Sequence, residues 1–242
     1  MKRKITIIKL GYIDHLVNIK KLLKWKSDIF EITDIQEKEC LHDCETTDGY
    51  LDYNFTRDSI KNEIICPEKS DYAIALTQYS FDGNFFMFRT EKKCVGISLY
   101  GIPEILQIEN IPIENFIIKQ IYEICALSFI YTEISDDNVD IFHKETRRCI
   151  FDLNGERTHI LYNTEQPEIC INCKAKFQEK QIPQGIISIF DKELKKIKKP
   201  LINNIERSIK KYPLFSMILS AIIGMILNFL LKWLIKFILC EF

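Results

Sequence analysis

Residues 214–231, LFSMILSAIIGMILNFLL, run for 18 positions without a charged side chain, and the apolar character continues through KWLIKFILC to Cys240. At about 1.5 Å rise per residue the uncharged run is about 27 Å long, and extension to Ile238 brings it to about 37 Å, enough to cross a hydrocarbon core of about 30 Å. A core helix of this length normally carries a polar stripe, whereas this one offers Ser216, Ser220 and Asn228. Lys232 and Lys236 fall near the end, where long side chains snorkel to headgroups, and Trp233 suits the same interface. The expectation is one C-terminal transmembrane helix over residues 212–240.

The residues before it, DKELKKIKKPLINNIERSIKKYP, are rich in Lys and Arg, while Lys232 and Lys236 follow the uncharged run. The positive-inside bias therefore predicts a single-pass membrane protein, anchored by its C-terminus, with a cytoplasmic N-terminal part. Residues 181–211 read as a basic helical stalk split at Pro200, with Ile197, Leu201, Ile205 and Ile209 in a row at helical spacing. Such a stalk either lies on anionic lipid, at about 1 kcal/mol per basic residue, or is a solvated linker. The lipid bilayer is the expected partner, with a protein partner or a second copy reached through the small residues Ser220, Ala221 and Gly224.

Lys plus Arg number 33 against 34 Asp plus Glu, so the total charge gives no footprint for nucleic acid. Nine Cys raise the question of disulfides. The start MKRKITIIKLG lacks the apolar region and cleavage site of a secretory signal, the count is odd, and Cys170 and Cys173 form a C-x-x-C pair. A reducing compartment with thiols used for metal fits better.

Residues 1–180 read as alternating strands and helices, an α/β domain with α+β as the alternative. ITIIKLG predicts a first strand, residues 15–29 a helix through Leu16, Ile19, Leu22 and Leu23, and FEITDIQ a second strand. Residues 37–67 are polar and turn-rich. DYAIALTQYS, NFFMFRT and KCVGISLYG are three strand candidates, and IENFIIKQIYEICALSFI after Pro112 is a helix of about five turns with Ile113, Phe116, Ile117, Ile121, Ile124 and Leu127 on one side.

His143, Cys149, Cys170 and Cys173 follow the spacing H-x5-C-x20-C-x2-C. A C-x-x-C turn aims two thiolates at one point, and a second pair of ligands some distance away closes a tetrahedral shell, as structural zinc sites do. The competing reading makes Cys149 a buried small hydrophobe and His143 a surface residue. Cys40, His42 and Cys44 form a second cluster with no fourth partner.

With those residues in place the chain resembles an archaemetzincin, a branch of the metzincin-type zinc peptidases. That family carries H-E-x-x-H-x-x-G-x-x-H-C-x4-C-x-M followed, after about twenty residues, by C-x-x-C. The resemblance covers about residues 1–177: KITIIKLGYID, DYAIALT, VGISLYG and the long helix fall in the family's order. It places His143 on the third zinc-binding His, Lys144 on the first Cys, Cys149 on the second, Phe151 on the Met, and Cys170 and Cys173 on the closing pair. YEICALSF takes the place of H-E-x-x-H-x-x-G, so Glu123 matches the general base while Tyr122 and Ala126 replace both helix-borne His and Phe129 the Gly. The chain between this helix and His143 exceeds the family spacing by about eleven residues. The implied fold is a metzincin-like mixed sheet with packed helices.

A peptidase zinc needs two His one turn apart and a Glu to deprotonate its water. With Tyr122 and Ala126 at those places, the resemblance implies a degenerate catalytic motif, and His143 is free to turn toward Cys149, Cys170 and Cys173 as the fourth ligand of a structural Zn2+. The leading expectation is a non-catalytic, membrane-anchored, zinc-binding protein that acts by binding or sensing at the cytoplasmic face. Two alternatives stand beside it: an active metallopeptidase built on Glu123, His143 and Asp140 or a Cys, and a membrane-perturbing effector with a sensing soluble domain. His159, in a polar segment expected to be a hairpin, and the Arg147-Arg148 pair suggest at most an anion contact.

Overall fold

A computed structural model describes residues 2–38, 45–46, 53–90, 93–198, 209 and 211–240; side chains at 45, 46, 53, 215, 216, 219 and 233–240 are outside that description. Cys40, His42 and Cys44 lie outside the described residues. The chain divides into two compact units, Met1–Lys198 and Lys199–Phe242.

In chain order the first unit contains β1 (Arg3–Leu10), α1 (Ile19–Leu23), β2 (Phe30–Lys38), β3 (Glu45–Thr46), β4 (Tyr53–Phe55), α2 (Arg57–Glu63), β5 (Tyr72–Thr77), β6 (Ser80–Phe81), β7 (Met87–Thr90), β8 (Cys94–Ser98), α3 (Ile102–Gln107), α4 (Ile113–Ile130), α5 (Ile160–Glu165), α6 (Ile171–Glu179) and α7 (Gln184–Leu194). Five strands form one sheet in the order β2-β1-β5-β8-β7. All its pairings are parallel except β7 on β8. This is a mixed α/β fold dominated by parallel pairing.

Parallel strands buried on both faces read as continuous apolar runs, which is why ITIIKL and YAIAL stand out in the sequence. On one face Ile5, Ile7, Ile74, Leu76, Val95 and Ile97 join the larger core, which α4 fills. On the other, Ile8, Leu10, Ala73 and Ala75 pack with Phe55, Ile60, Phe81 and Phe88. Each fully buried Ile, Leu or Phe contributes about 1.5–3 kcal/mol. Lys9, the one charge inside the ITIIKL run of β1, is itself buried and pairs with Asp14 at 2.7 Å and Glu37 at 2.6 Å.

Helix α4 begins directly after Pro112, as its sequence predicts, but it is buried on every side from Ile113 to Leu127 rather than on one. The sheet, α1, α3, α5 and α7 all pack around it. Its polar residues Glu114, Lys119, Gln120 and Glu123 are consequently inside the protein.

Other expectations are corrected. The helix expected over residues 15–29 shrinks to α1, because Ser27 Oγ accepts the backbone N–H of Ile29 at 2.9 Å and of Phe30 at 3.2 Å and turns the chain into β2. The turn-rich segment holds β4 and α2, the latter capped by Thr56, whose side chain accepts the Ser59 N–H at 3.1 Å. His159 lies in a short helical turn leading into α5, not in a hairpin.

The largest correction concerns the boundary at 180. The compact unit runs on to Lys198, because α7 and the residues after it place Ile187, Phe190, Leu194 and Ile197 in the main core. Glu193 ties the helix down: its carboxylate accepts from Ser27 Oγ at 2.5 Å, the Asp28 N–H at 2.8 Å, Tyr122 Oη at 2.9 Å and Lys196 Nζ at 3.3 Å. Burial works against the ionised form, but these hydrogen bonds outweigh it and hold the Glu193 carboxyl below its ordinary value of 4.5. A depressed carboxyl adds stability above its unfolded value and loses it as the pH falls. Glu193→Gln is therefore expected to cost about 2 kcal/mol at pH 7, read from urea unfolding, with the gap to wild type narrowing below about pH 4.5.

In the second unit, α8 (Pro213–Cys240) spans the apolar sequence, with Leu214, Met217, Ile218 and Phe229 exposed. Among the described residues, which leave out the side chains at 215, 216, 219 and 233–240 of this helix, no helix is long and apolar enough to cross a membrane.

Candidate metal centre

The segment between α4 and α5 is irregular, and backbone pairing folds it into a knuckle. His143 N donates to Phe151 O at 3.2 Å and Leu153 N to His143 O at 3.0 Å, so His143 lies beside Asp152. Arg148 takes a left-handed conformation, φ 63°, immediately before Cys149. The chain on either side of this turn is clamped to the residues leading into α6, with Glu168 N donating to Arg148 O at 3.0 Å and Ile150 N to Glu168 O at 2.9 Å. Cys170 is the residue that caps α6 and Cys173 lies in its first turn. The helix N-terminus, with its unpaired N–H groups, favours thiolate there.

These pieces bring one ligand atom from each of His143, Cys149, Cys170 and Cys173 within 4.8 Å of one another. Cys149 Sγ is 3.8 Å from Cys173 Sγ, and Cys170 Sγ is 3.6 Å from His143 Nε2. A tetrahedron with bonds of about 2.3 Å to sulfur and about 2.0–2.1 Å to nitrogen has S···S edges of about 3.8 Å and S···N edges of about 3.6 Å. Two of the six edges therefore have tetrahedral lengths, and all four atoms lie within 4.8 Å of one another, close enough to hold a metal ion. All three cysteines are free thiols, Cys149 and Cys173 fully buried. The Cys170 N–H points at Cys149 Sγ from 3.4 Å, a donor suited to a thiolate.

The tautomer of His143 follows from its neighbours. Nδ1 lies 3.1 Å from Asp152 Oδ1 and 3.1 Å from the Glu145 carbonyl oxygen, both acceptors. Nδ1 therefore carries the proton and Nε2 presents its lone pair to the thiols. The adjacent Cys173 thiol, and then burial, push the Cys149 thiol upward, so gathering thiolates here calls for a cation.

No family model, curated protein or solved structure matches this chain. What the site does must come from its own geometry.

The residues on α4 expected at catalytic places are committed elsewhere. Tyr122 turns toward α7: its hydroxyl donates to Glu193 at 2.9 Å and accepts from Trp25 Nε1 at 2.9 Å. Ala126 is buried and offers no ligand atom. Glu123 is held in a salt bridge to Arg89 and has Lys119 Nζ at 3.8 Å, while Arg89 also donates to Asp136 at 2.8 Å. Burial opposes the Arg89 charge, but Glu123 and Asp136 outweigh it and hold the guanidinium above its usual value. Burial pushes the Lys119 ammonium down to about 8, against the pull of Glu123. Burial likewise raises the Asp152 carboxyl.

Asp140 does not join the His/Cys cluster; its carboxylate is bound by the Tyr131 hydroxyl. Arg147 pairs with Glu145 and Arg148 with Gln166, both at the surface, and His159 hydrogen-bonds to Thr146 at 3.0 Å. Beside the cluster lies a cavity of about 400 Å³ lined by Phe86, Arg89, Glu123, Asp136, Phe142 and Asp152, among others. Sequence reasoning missed Asp152 and Arg89. Asp152 lies nine residues after His143 and only the knuckle brings them together.

Proposed function

We propose that this chain is a degenerate metzincin-like domain, stapled by one structural zinc and carried at a membrane by residues 213–240, which acts by binding and not by hydrolysis. The observation that carries the reading is the convergence of His143, Cys149, Cys170 and Cys173 within 4.8 Å, with two edges of tetrahedral length. A zinc held by three thiolates and an imidazole is closed and keeps no position for water. The segments behind the family resemblance form strands β1, β5 and β8 and helix α4.

Loss of catalysis is supported by the α4 side chains. A general base must be free to take a proton from a metal-bound water, whereas Glu123 neutralises Arg89 and Tyr122 is tied to Glu193. The binding role falls to the cavity next to the metal centre, whose volume lies in the range of small-ligand sites. No zinc-dependent cleavage of a mixed peptide library is expected from the full chain. Cleavage that Glu123→Gln abolishes would contradict the reading.

The membrane part rests on the 18 uncharged residues at 214–231 and the basic residues before them. Their favourable transfer energies outweigh Asn228, and the lysines at 232 and 236 lie where their cost is lowest. The protein should stay in the pellet after carbonate extraction, and its N-terminal unit should be digested in vesicles whose cytoplasmic face is outward. Release by carbonate would contradict the span, and protection of that unit would invert the topology.

A further inference from the structure

We infer that Asp152 is the positioning residue of the metal centre: its buried carboxylate holds the His143 ring so that Nε2, and not Nδ1, is offered to the metal. This rests on the reading of His143, Cys149, Cys170 and Cys173 as zinc ligands.

Three observations converge. The Asp152 side chain is fully buried, and its two oxygens do different things: Oδ2 accepts the Arg147 backbone N–H at 3.0 Å, while Oδ1 accepts no hydrogen bond and has His143 Nδ1 at ion-pair distance, 3.1 Å. A buried carboxylate oxygen left with a single neighbour is costly unless that neighbour donates to it. The backbone bonds between His143 and residues 151 and 153 fix the two residues side by side, so the contact does not depend on a chance rotamer. Finally, the opposite ring nitrogen faces Cys170 Sγ at 3.6 Å, so a proton held on Nδ1 leaves the lone pair pointing into the cluster. Metal-bound imidazoles are generally backed by a carboxylate or carbonyl in this way, which raises ligand basicity, and loss of that partner weakens metal binding by about 10–100-fold. The hydrogen bond at Nδ1 goes to the Glu145 carbonyl at 3.1 Å, but that oxygen carries no charge to stabilise the imidazole once the metal draws electron density from it, whereas the Asp152 carboxylate 3.1 Å away does.

The test uses the full chain in detergent micelles, with zinc affinity measured by competition against a chromophoric chelator. Asp152→Ala should weaken zinc by about 10–100-fold, and the near-isosteric Asp152→Asn, which keeps the shape of the site, by about 10-fold. One metal per chain should be retained in both. A purely structural role would lower stability without regard to His143, so the deciding readout is a double-mutant cycle. In a His143→Ala background, where no imidazole remains to be oriented, Asp152→Ala should change zinc affinity by less than about 2-fold. An Asp152→Asn affinity within about 2-fold of wild type, or an Asp152→Ala loss that persists in full without His143, overturns the inference while leaving the metal centre intact. Failure of the wild-type chain to bind zinc overturns the metal centre itself, and this inference with it.

Discussion

Stripping the metal from the full chain should lower the midpoint of thermal unfolding by more than about 10 °C and expose the amides of residues 141–179 to exchange. Structural zinc in small domains is worth about 10–16 kcal/mol, which equals or exceeds the whole stability of a typical domain at about 5–15 kcal/mol. The ligands come from two segments otherwise joined by a few backbone bonds, the knuckle around Cys149 and the first turn of α6. Without a cation three thiols must share one buried space, two of them 3.8 Å apart. The sheet and α4 have their own large apolar core and should open later. Cys173→Ala should reproduce the effect of chelation, and chelator should then add little to it. Equal melting of the wild-type chain with and without chelator would contradict this, as would amide protection that does not change.

Glu123→Ala should destabilise the protein by about 3–5 kcal/mol, measured by urea unfolding, because it leaves Arg89 and Lys119 inside with half of their compensation gone. Glu123 is 2% exposed and Lys119 0%, so neither charge is screened by water. Asp136 remains on Arg89 at 2.8 Å and limits the loss. Glu123→Gln keeps a hydrogen-bond acceptor and should cost less than the alanine variant. Replacing Arg89, Lys119 and Glu123 together by apolar residues of similar size should recover most of the stability, since the cost arises from unpaired charge rather than from loss of a favourable bond. A free catalytic carboxylate behaves in the opposite way, and its removal is neutral or stabilising. A Glu123→Ala change of less than about 1 kcal/mol would therefore reopen the enzymatic reading.

What the sequence reveals and conceals here divides along physical lines. Apolar runs flanked by turn residues gave β1, β5 and β8, and Pro112 followed by a long apolar helix gave α4, since both signals are local. The four metal ligands were legible because C-x-x-C is itself a local turn and His143 and Cys149 stand close together in the chain. The residues that hold the site were not legible. Asp152 reaches His143 through a knuckle, Arg89 reaches Glu123 from β7, and Glu193 reaches Ser27 and Tyr122 across the core; each pairing is made by tertiary structure alone. The charge of residues 181–198 points to a stalk, although Ile187, Phe190, Leu194 and Ile197 stand at helical spacing. Of the row from Ile197 to Ile209, Ile197 lies in the core, and Leu201 and Ile205 lie outside the described residues.

X-ray absorption at the zinc edge, on the purified full-length chain with metal content determined on the same sample, addresses the central claim most directly. One zinc per chain is expected, with three sulfurs at about 2.3 Å and one nitrogen at about 2.0–2.1 Å, and Cys170→Ala should lose a sulfur or the metal. A shell of nitrogen and oxygen alone, or a chain that holds no stoichiometric zinc, would contradict the account.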